Sequence, residues 1–150
     1  MHIEGKYVLA TPRDKVWAFI SDPERIAHCL PDLQSLEVKD SKSFSVAVKV
    51  GISFVRGNFK FDFTLLDQKP PSHSSFEAMG KGAGVSVRLN ATIDLKEIDA
   101  NSTELAWKTD AQLGGLLGEI SPSLIQTSTN KFTQQFFECV KTKLEKESTG

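Results

Sequence analysis

The residues able to do chemistry are few and scattered. Three histidines, His2, His28 and His73, stand far apart. Only His28 has another ligand type beside it, Cys29, and adjacent residues on a helix do not face one another. Structural zinc takes four ligands, so no metal centre is expected. His28 as a general base is a weaker reading than a histidine at a helix end. Asp62 and Asp94 fall opposite the apolar positions of their segments, as do Arg56 and Arg88. They read as solvated side chains, not as an acid–base pair or an anion hook. Gly80-Lys81-Gly82-Ala83-Gly84 looks superficially like a nucleotide loop, but that chemistry needs a strand–turn–helix setting, and here both flanks alternate with period two. A tight turn or bulged sheet edge is the first reading; room for a ligand or lid at a cavity mouth is the second. Cys29 and Cys139 each read as a reduced, packed thiol. Whether they pair turns on a distance that the sequence does not supply.

What the sequence offers in place of reactive groups is aromatic surface. It holds ten phenylalanines. Phe59, Phe61, Phe63, Phe76, Leu89 and Trp107 share the apolar sides of their segments and should face a helix carrying Phe132 and Phe136. Alternation alone does not separate a dense core from an apolar cavity; both stay open. A cavity of this kind would be mostly apolar with a few polar fixings, drawn from Tyr7, Thr109, Ser74 or Gln135.

The elements that must position these residues follow from periodicity. His2 to Ala10 alternates as a strand. Thr11-Pro12-Arg13-Asp14 and Ser21-Asp22-Pro23-Glu24 are two helix starts in close succession, each with a capping residue before proline. They open two short helices, the second stopped by Pro31. Residues 34 to 112 then alternate almost throughout, broken by Asp40-Ser41-Lys42-Ser43, the Gly51–Gly57 region, Pro70-Pro71, the glycine-rich stretch and Asp99-Ala100-Asn101-Ser102. From Leu113 the apolar residues Leu116, Leu117, Ile120, Leu124, Thr127, Phe132, Phe136, Val140 and Leu144 recur at helical spacing. Ser121-Pro122 should break or bend that helix. The predicted order is one strand, two short helices, six strands and a long helix. That makes an α+β fold: a curved seven-stranded antiparallel sheet wrapped around the C-terminal helix.

With 150 residues, 39% hydrophobic and 25% charged, the chain suits a single domain spanning 1–150. The net charge of −1 and the absence of a basic block argue against nucleic acid. No run reaches the length of a membrane span. Glu4, Lys6, Arg13 and Asp14 break any N-terminal apolar stretch, so no signal peptide is expected and the cytoplasm is the default location.

In this order and spacing the motifs resemble the CoxG family of carbon monoxide dehydrogenase proteins, within the helix-grip superfamily of START and birch-pollen-allergen-like (Bet v 1-like, SRPBCC) proteins. Thr11-Pro12 with Val16-Trp17 resembles its first helix. Ser21-Asp22-Pro23-Glu24 followed by Cys29-Leu30-Pro31 resembles its aspartate–proline–glutamate and cysteine–isoleucine–proline stretch. Gly80-Lys81-Gly82, Gln112-Leu113-Gly114-Gly115-Leu116 and Phe136-Phe137 resemble its glycine loop and the two ends of its last helix. The chain departs from the family pattern at Asp32-Leu33 and Ile52-Ser53-Phe54. The resemblance implies a helix-grip fold and a pocket for a quinone- or lipid-like molecule. The pocket would be lined by Phe59, Phe61, Phe63, Phe76, Leu89, Trp107, Leu117, Leu124, Phe132 and Phe136, with Gly82, Gly84, Gly114 and Gly115 shaping its mouth. It also implies an accessory or membrane-recruitment role for a molybdenum hydroxylase such as carbon monoxide dehydrogenase, at the inner face of the membrane and without a catalytic residue or obligate cofactor. Family members often continue into an apolar anchoring segment; a chain ending at Gly150 would lack one.

Two other functions compete. A cyclase- or hydrolase-type enzyme would need a buried proton-moving pair, such as Tyr7 with His73 or Asp110. A solid-cored protein–protein adaptor would need an exposed apolar patch, for which Ile52, Phe54 and the short helices are candidates.

Overall fold

A computed structural model describes residues 2–52 and 55–149. The chain runs β1 (His2–Leu9), α1 (Arg13–Ile20), α2 (Pro23–Ala27), β2 (Leu33–Val38), β3 (Ser43–Ile52), β4 (Val55–Lys69), β5 (His73–Gly82), β6 (Val85–Asp99) and β7 (Ser102–Gly115). A short 3₁₀ turn at Leu116–Glu119 leads into α3 (Pro122–Thr149). The seven strands form one antiparallel sheet in the order β1-β7-β6-β5-β4-β3-β2. Only β1 leaves sequence order, because the two short helices carry the chain from one edge of the sheet to the other. The seven-stranded antiparallel sheet and long final helix are those that the alternation predicts, and the arrangement is the helix-grip fold that the resemblance implies.

Local chemistry accounts for the joints. Asp22 caps α2 by accepting from Glu24 N at 3.0 Å, with Pro23 at the first helical position. α1 has no such bond; Pro12, not Thr11, stands at its cap, and Thr11 is buried with its carbonyl accepting from Thr103 Oγ1 at 2.7 Å. The Ser121-Pro122 break occurs as predicted, and Ser121 Oγ accepts from Leu124 N at 3.3 Å. The glycine-rich stretch is a two-residue hairpin: Gly82 pairs with Val85, and Ala83 and Gly84 have φ of 51° and 75°. Positive φ at both central residues matches the right-handed twist of the flanking strands, which is why a small residue and a glycine stand there. Gly57 pairs with Val50 in unbroken register, so the β3–β4 hairpin carries no bulge at that position. Phe54, proposed as part of an adaptor patch, lies outside the described residues.

Two expectations are corrected here. Leu113 and Gly114 belong to β7, so the last helix begins only at Pro122. Cys29 and Cys139 are not separate thiols but a disulfide, with Cα atoms 5.5 Å apart and 110 residues between them. The chain just after α2 folds back onto the middle of α3, which supplies the distance that the sequence lacks.

The apolar interior forms two packed ends. One gathers Leu9, Val16, Phe19, Leu105, Trp107, Phe137, Val140 and Leu144. The other gathers Ala27, Phe44, Val46, Val48, Val55, Phe59, Val85, Ile120 and Ile125.

Candidate functional site

Between these two ends lies a cavity of about 240 Å³. Its floor is the inner face of the sheet: Val46 of β3, Phe61 and Phe63 of β4, Phe76 of β5, Leu89 and Ile93 of β6, and Trp107 and Thr109 of β7. Alternation puts these on one side. Its roof has two parts. The α1–α2 arm supplies Ile20, Ser21, Pro23, Ile26 and Leu30; α3 supplies Phe132, Thr133, Phe136, Phe137 and Val140. Phe132 lines the cavity and is also 40% exposed, which marks where the cavity meets solvent. An apolar cavity of roughly 150 Å³ suffices for a benzene-sized ring, so this one admits a larger ring or part of a chain.

Among the described residues the lining contains no acid, base, tyrosine or cysteine. Its polar residues are Ser21, Thr92, Thr109 and Thr133. Two polar atoms of lining residues, Ser21 Oγ and Trp107 Nε1, are buried without a hydrogen-bond partner among the described residues. A buried donor left unmade costs about 1–3 kcal/mol.

Two glycines set the ring positions; in the sequence Gly80 stands out only as the start of the glycine-rich stretch, and Gly5 does not stand out at all. Gly5 stands directly across from Trp107 and Gly80 across from Phe61. A Cβ on Gly5 would lie 3.0 Å from Trp107 Nε1, and one on Gly80 only 2.4 Å from the Phe61 ring. The rings therefore lie over the bare backbone and leave the space above them open. The available signal was a glycine inside a clean alternation. Around these rings Phe44 stacks on Phe63 at 4.8 Å, and Trp107 and Tyr7 stack on Phe137 at 5.7 and 4.5 Å.

Of the residues expected in the pocket, Phe61, Phe63, Phe76, Leu89, Trp107, Phe132 and Phe136 line this cavity. Phe59 does not; it is 3% exposed and packs the far end beside Val55 and Val85. Leu124 does not either. It is 49% exposed, because α3 starts at Pro122 in a phase that turns Ile125 inward. The Leu117 side chain lies outside the described residues. Gly82, Gly84, Gly114 and Gly115 are absent from the lining and sit where the β5–β6 hairpin meets the end of β7. A Cβ on Gly82 would lie 2.3 Å from the Asn58 carbonyl oxygen, and one on Gly115 2.2 Å from that of Gly84. These positions serve close backbone approach. Among the predicted polar fixings only Thr109 reaches the cavity; Ser74 donates to Gln68 Oε1 at 3.0 Å and Gln135 is exposed.

Three polar clusters lie on the other face of the sheet. His2 contacts Asp110 at 2.8 Å and Glu4 at 3.1 Å. Its hydrogen bond to Asp110, and then that to Glu4, raise its pKa; the bond from His2 in turn lowers that of Glu4. His73 Nδ1 lies 2.6 Å from Asp94. Ser45 donates to Asp62 and holds that carboxyl below its usual range. Tyr7 stacks inside while His73 and Asp110 bond across the outer face, so the example pairs of Tyr7 with His73 or Asp110 do not come together. Among the described residues no cluster of His, Cys, Asp and Glu could hold a metal ion.

Residues 5–145 match the family of carbon monoxide dehydrogenase G-type subunits (CoxG) over nearly the whole chain. The chain belongs to the CoxG family. Among solved structures it is similar to a conserved protein from Geobacillus kaustophilus at 24% identity and TM-score 0.90, covering 97% of this chain and 96% of that one. It is similar to the Zhui aromatase/cyclase from a Streptomyces species at 16% identity and TM-score 0.74, covering 99% and 95%. A START superfamily protein from Mycobacterium smegmatis is similar at 9% identity and TM-score 0.74, covering 97% of both chains. At these identities the likeness establishes the shared helix-grip fold. No match to the sequence is found among curated proteins. No helix among the described residues of this CoxG-family chain is long and apolar enough to cross a membrane.

Proposed function

We propose that the cavity carries a quinone- or lipid-like molecule without transforming it. The protein would thereby act as an accessory or membrane-recruitment factor for a molybdenum hydroxylase such as carbon monoxide dehydrogenase. The observation that carries this reading is a cavity of about 240 Å³ whose lining holds no titratable group. Such a site binds by apolar burial and shape and offers no group to move a proton. Family membership supports the hydroxylase as the partner class. Phe61, Phe63, Phe76, Trp107, Phe132 and Phe136 would contact it. Transfer to the enzyme would take place at the inner face of the membrane, with the protein bound there peripherally.

The test is titration with a short-chain naphthoquinone and, separately, with a saturated fatty acid, followed by tryptophan fluorescence and native mass spectrometry. The expected result is one quinone per chain, with quenching reduced in Trp107→Phe. Binding of neither ligand would overturn the reading.

A further inference from the structure

We propose that the Cys29–Cys139 disulfide is a redox latch on the cavity: oxidised, it fastens the α2 arm to α3; reduced, it lets the arm lift and the cavity open. This rests on the reading of the cavity as a ligand site.

The bond lies across the roof. Ile26 and Leu30, on either side of Cys29, line the cavity, and so do Phe136 and Val140, on either side of Cys139. The two halves of the roof are thus tied where both cover the cavity. Apart from the disulfide, the arm's hold on the core is lighter than that of α1. α2 has five residues, far fewer than a helix needs to persist alone. Of its residues only the small Ala27 is buried; Ile26 lines the cavity and packs at the edge of the cluster around Val16 and Leu105, and the Arg25 guanidinium lies over the Phe19 ring at 4.5 Å. α1 is anchored more deeply: two large side chains, Val16 and Phe19, are fully buried in the apolar cluster with Leu105 and Leu144, a cluster that the arm joins through Cys29. Release should therefore be confined to residues 22–31.

The exchange balances with a dithiol as reductant, of the small-molecule or protein class. One thiolate attacks a protein sulfur, breaks the S–S bond and forms a mixed disulfide. The second thiolate displaces the protein sulfur. Cys29 and Cys139 end as two thiols, having gained two electrons and two protons, and the dithiol ends as its own disulfide. Cys139 is half-buried where Cys29 is buried, so attack begins at Cys139. A groove lined by Phe19, Glu24, Arg25, His28, Lys143 and Lys146 opens beside both cysteine-bearing segments.

The experiment compares the full chain oxidised, reduced with dithiothreitol, and as the Cys29→Ser Cys139→Ser double variant. Amide exchange by mass spectrometry reads the arm; uptake of the neutral fluorophore N-phenyl-1-naphthylamine by stopped flow reads the cavity. Reduction should speed exchange at residues 22–31 by on the order of tenfold, the signature of a local opening, with the sheet unchanged. Uptake should quicken in parallel, reverse on reoxidation, and be fast in the double variant. Exchange that is unchanged, or that rises throughout the chain, overturns the latch. Equal uptake in the two redox states also overturns it and leaves the carrier reading standing. A fluorophore and a quinone that bind in neither state overturn the carrier reading, and the gate with it.

Discussion

Gly80 and Phe61 show how a single residue sets the cavity. The ring lies over a backbone that a methyl group would reach at 2.4 Å. Gly80→Ala must therefore push Phe61 upward into the cavity. We expect it to cost about 1–3 kcal/mol, the range for overpacking, and to weaken quinone binding together with stability; urea unfolding and quinone titration on one preparation check both. His2 offers a separate test on the outer face. Its pKa is raised above the usual value near 6.5 by Asp110 and Glu4. A raised value in the folded state means that the pairing stabilises fully below pH 6.5 and is lost as pH climbs through the folded value. An NMR titration of the His2 ring should give a midpoint above 6.5 that moves back in Asp110→Asn. The seven lining positions anticipated from the sequence are those where strand alternation or helical spacing fixes the side. The roles of Gly5 and Gly80 under the rings were not legible, because they depend on which aromatic stands across the sheet, and register is a long-range property.

At the scale of elements, α3 divides into unlike halves. Its C-terminal half packs Phe137, Val140 and Leu144 into the core. Its first half runs Gln126-Thr127-Ser128-Thr129-Asn130, with Thr127 and Thr129 hydroxyls donating to the carbonyls of Ser123 and Ile125. Residues of this kind are weak helix formers, and one side of this half borders the cavity through Phe132 and Thr133. Phe132→Ala should cost under about 1 kcal/mol of stability, as for a partly exposed site, while speeding ligand release in stopped-flow measurements. Leu124→Ala, at an exposed apolar residue earlier on the same helix, should change neither. The sequence located this helix, its break at Ser121-Pro122 and its apolar stripe, but not its phase: choosing Ile125 over Leu124 requires knowing where the first turn is pinned. The disulfide was hidden for a related reason. Residues 29 and 139 meet only because the arm folds across α3, and no local pattern encodes a contact over 110 residues.

At the scale of the molecule, two packed clusters brace a sheet and a helix apart, and the cavity is what lies between them. The order of elements along the chain and the antiparallel sheet were legible because alternation over residues 34 to 112 gives consecutive strands that pair as neighbours, whereas the pairing of β1 with β7 was not. Core and cavity were not separable, since a phenylalanine that packs on a neighbour and one that lines a void obey the same alternation. The central claim is that this space is occupied in use. Native mass spectrometry of the protein purified from its own organism, with extraction and identification of any bound molecule, tests that claim most directly. We predict one quinone- or lipid-like molecule per chain, displaced in Gly80→Ala; an empty chain that also takes up no quinone when offered one would contradict it.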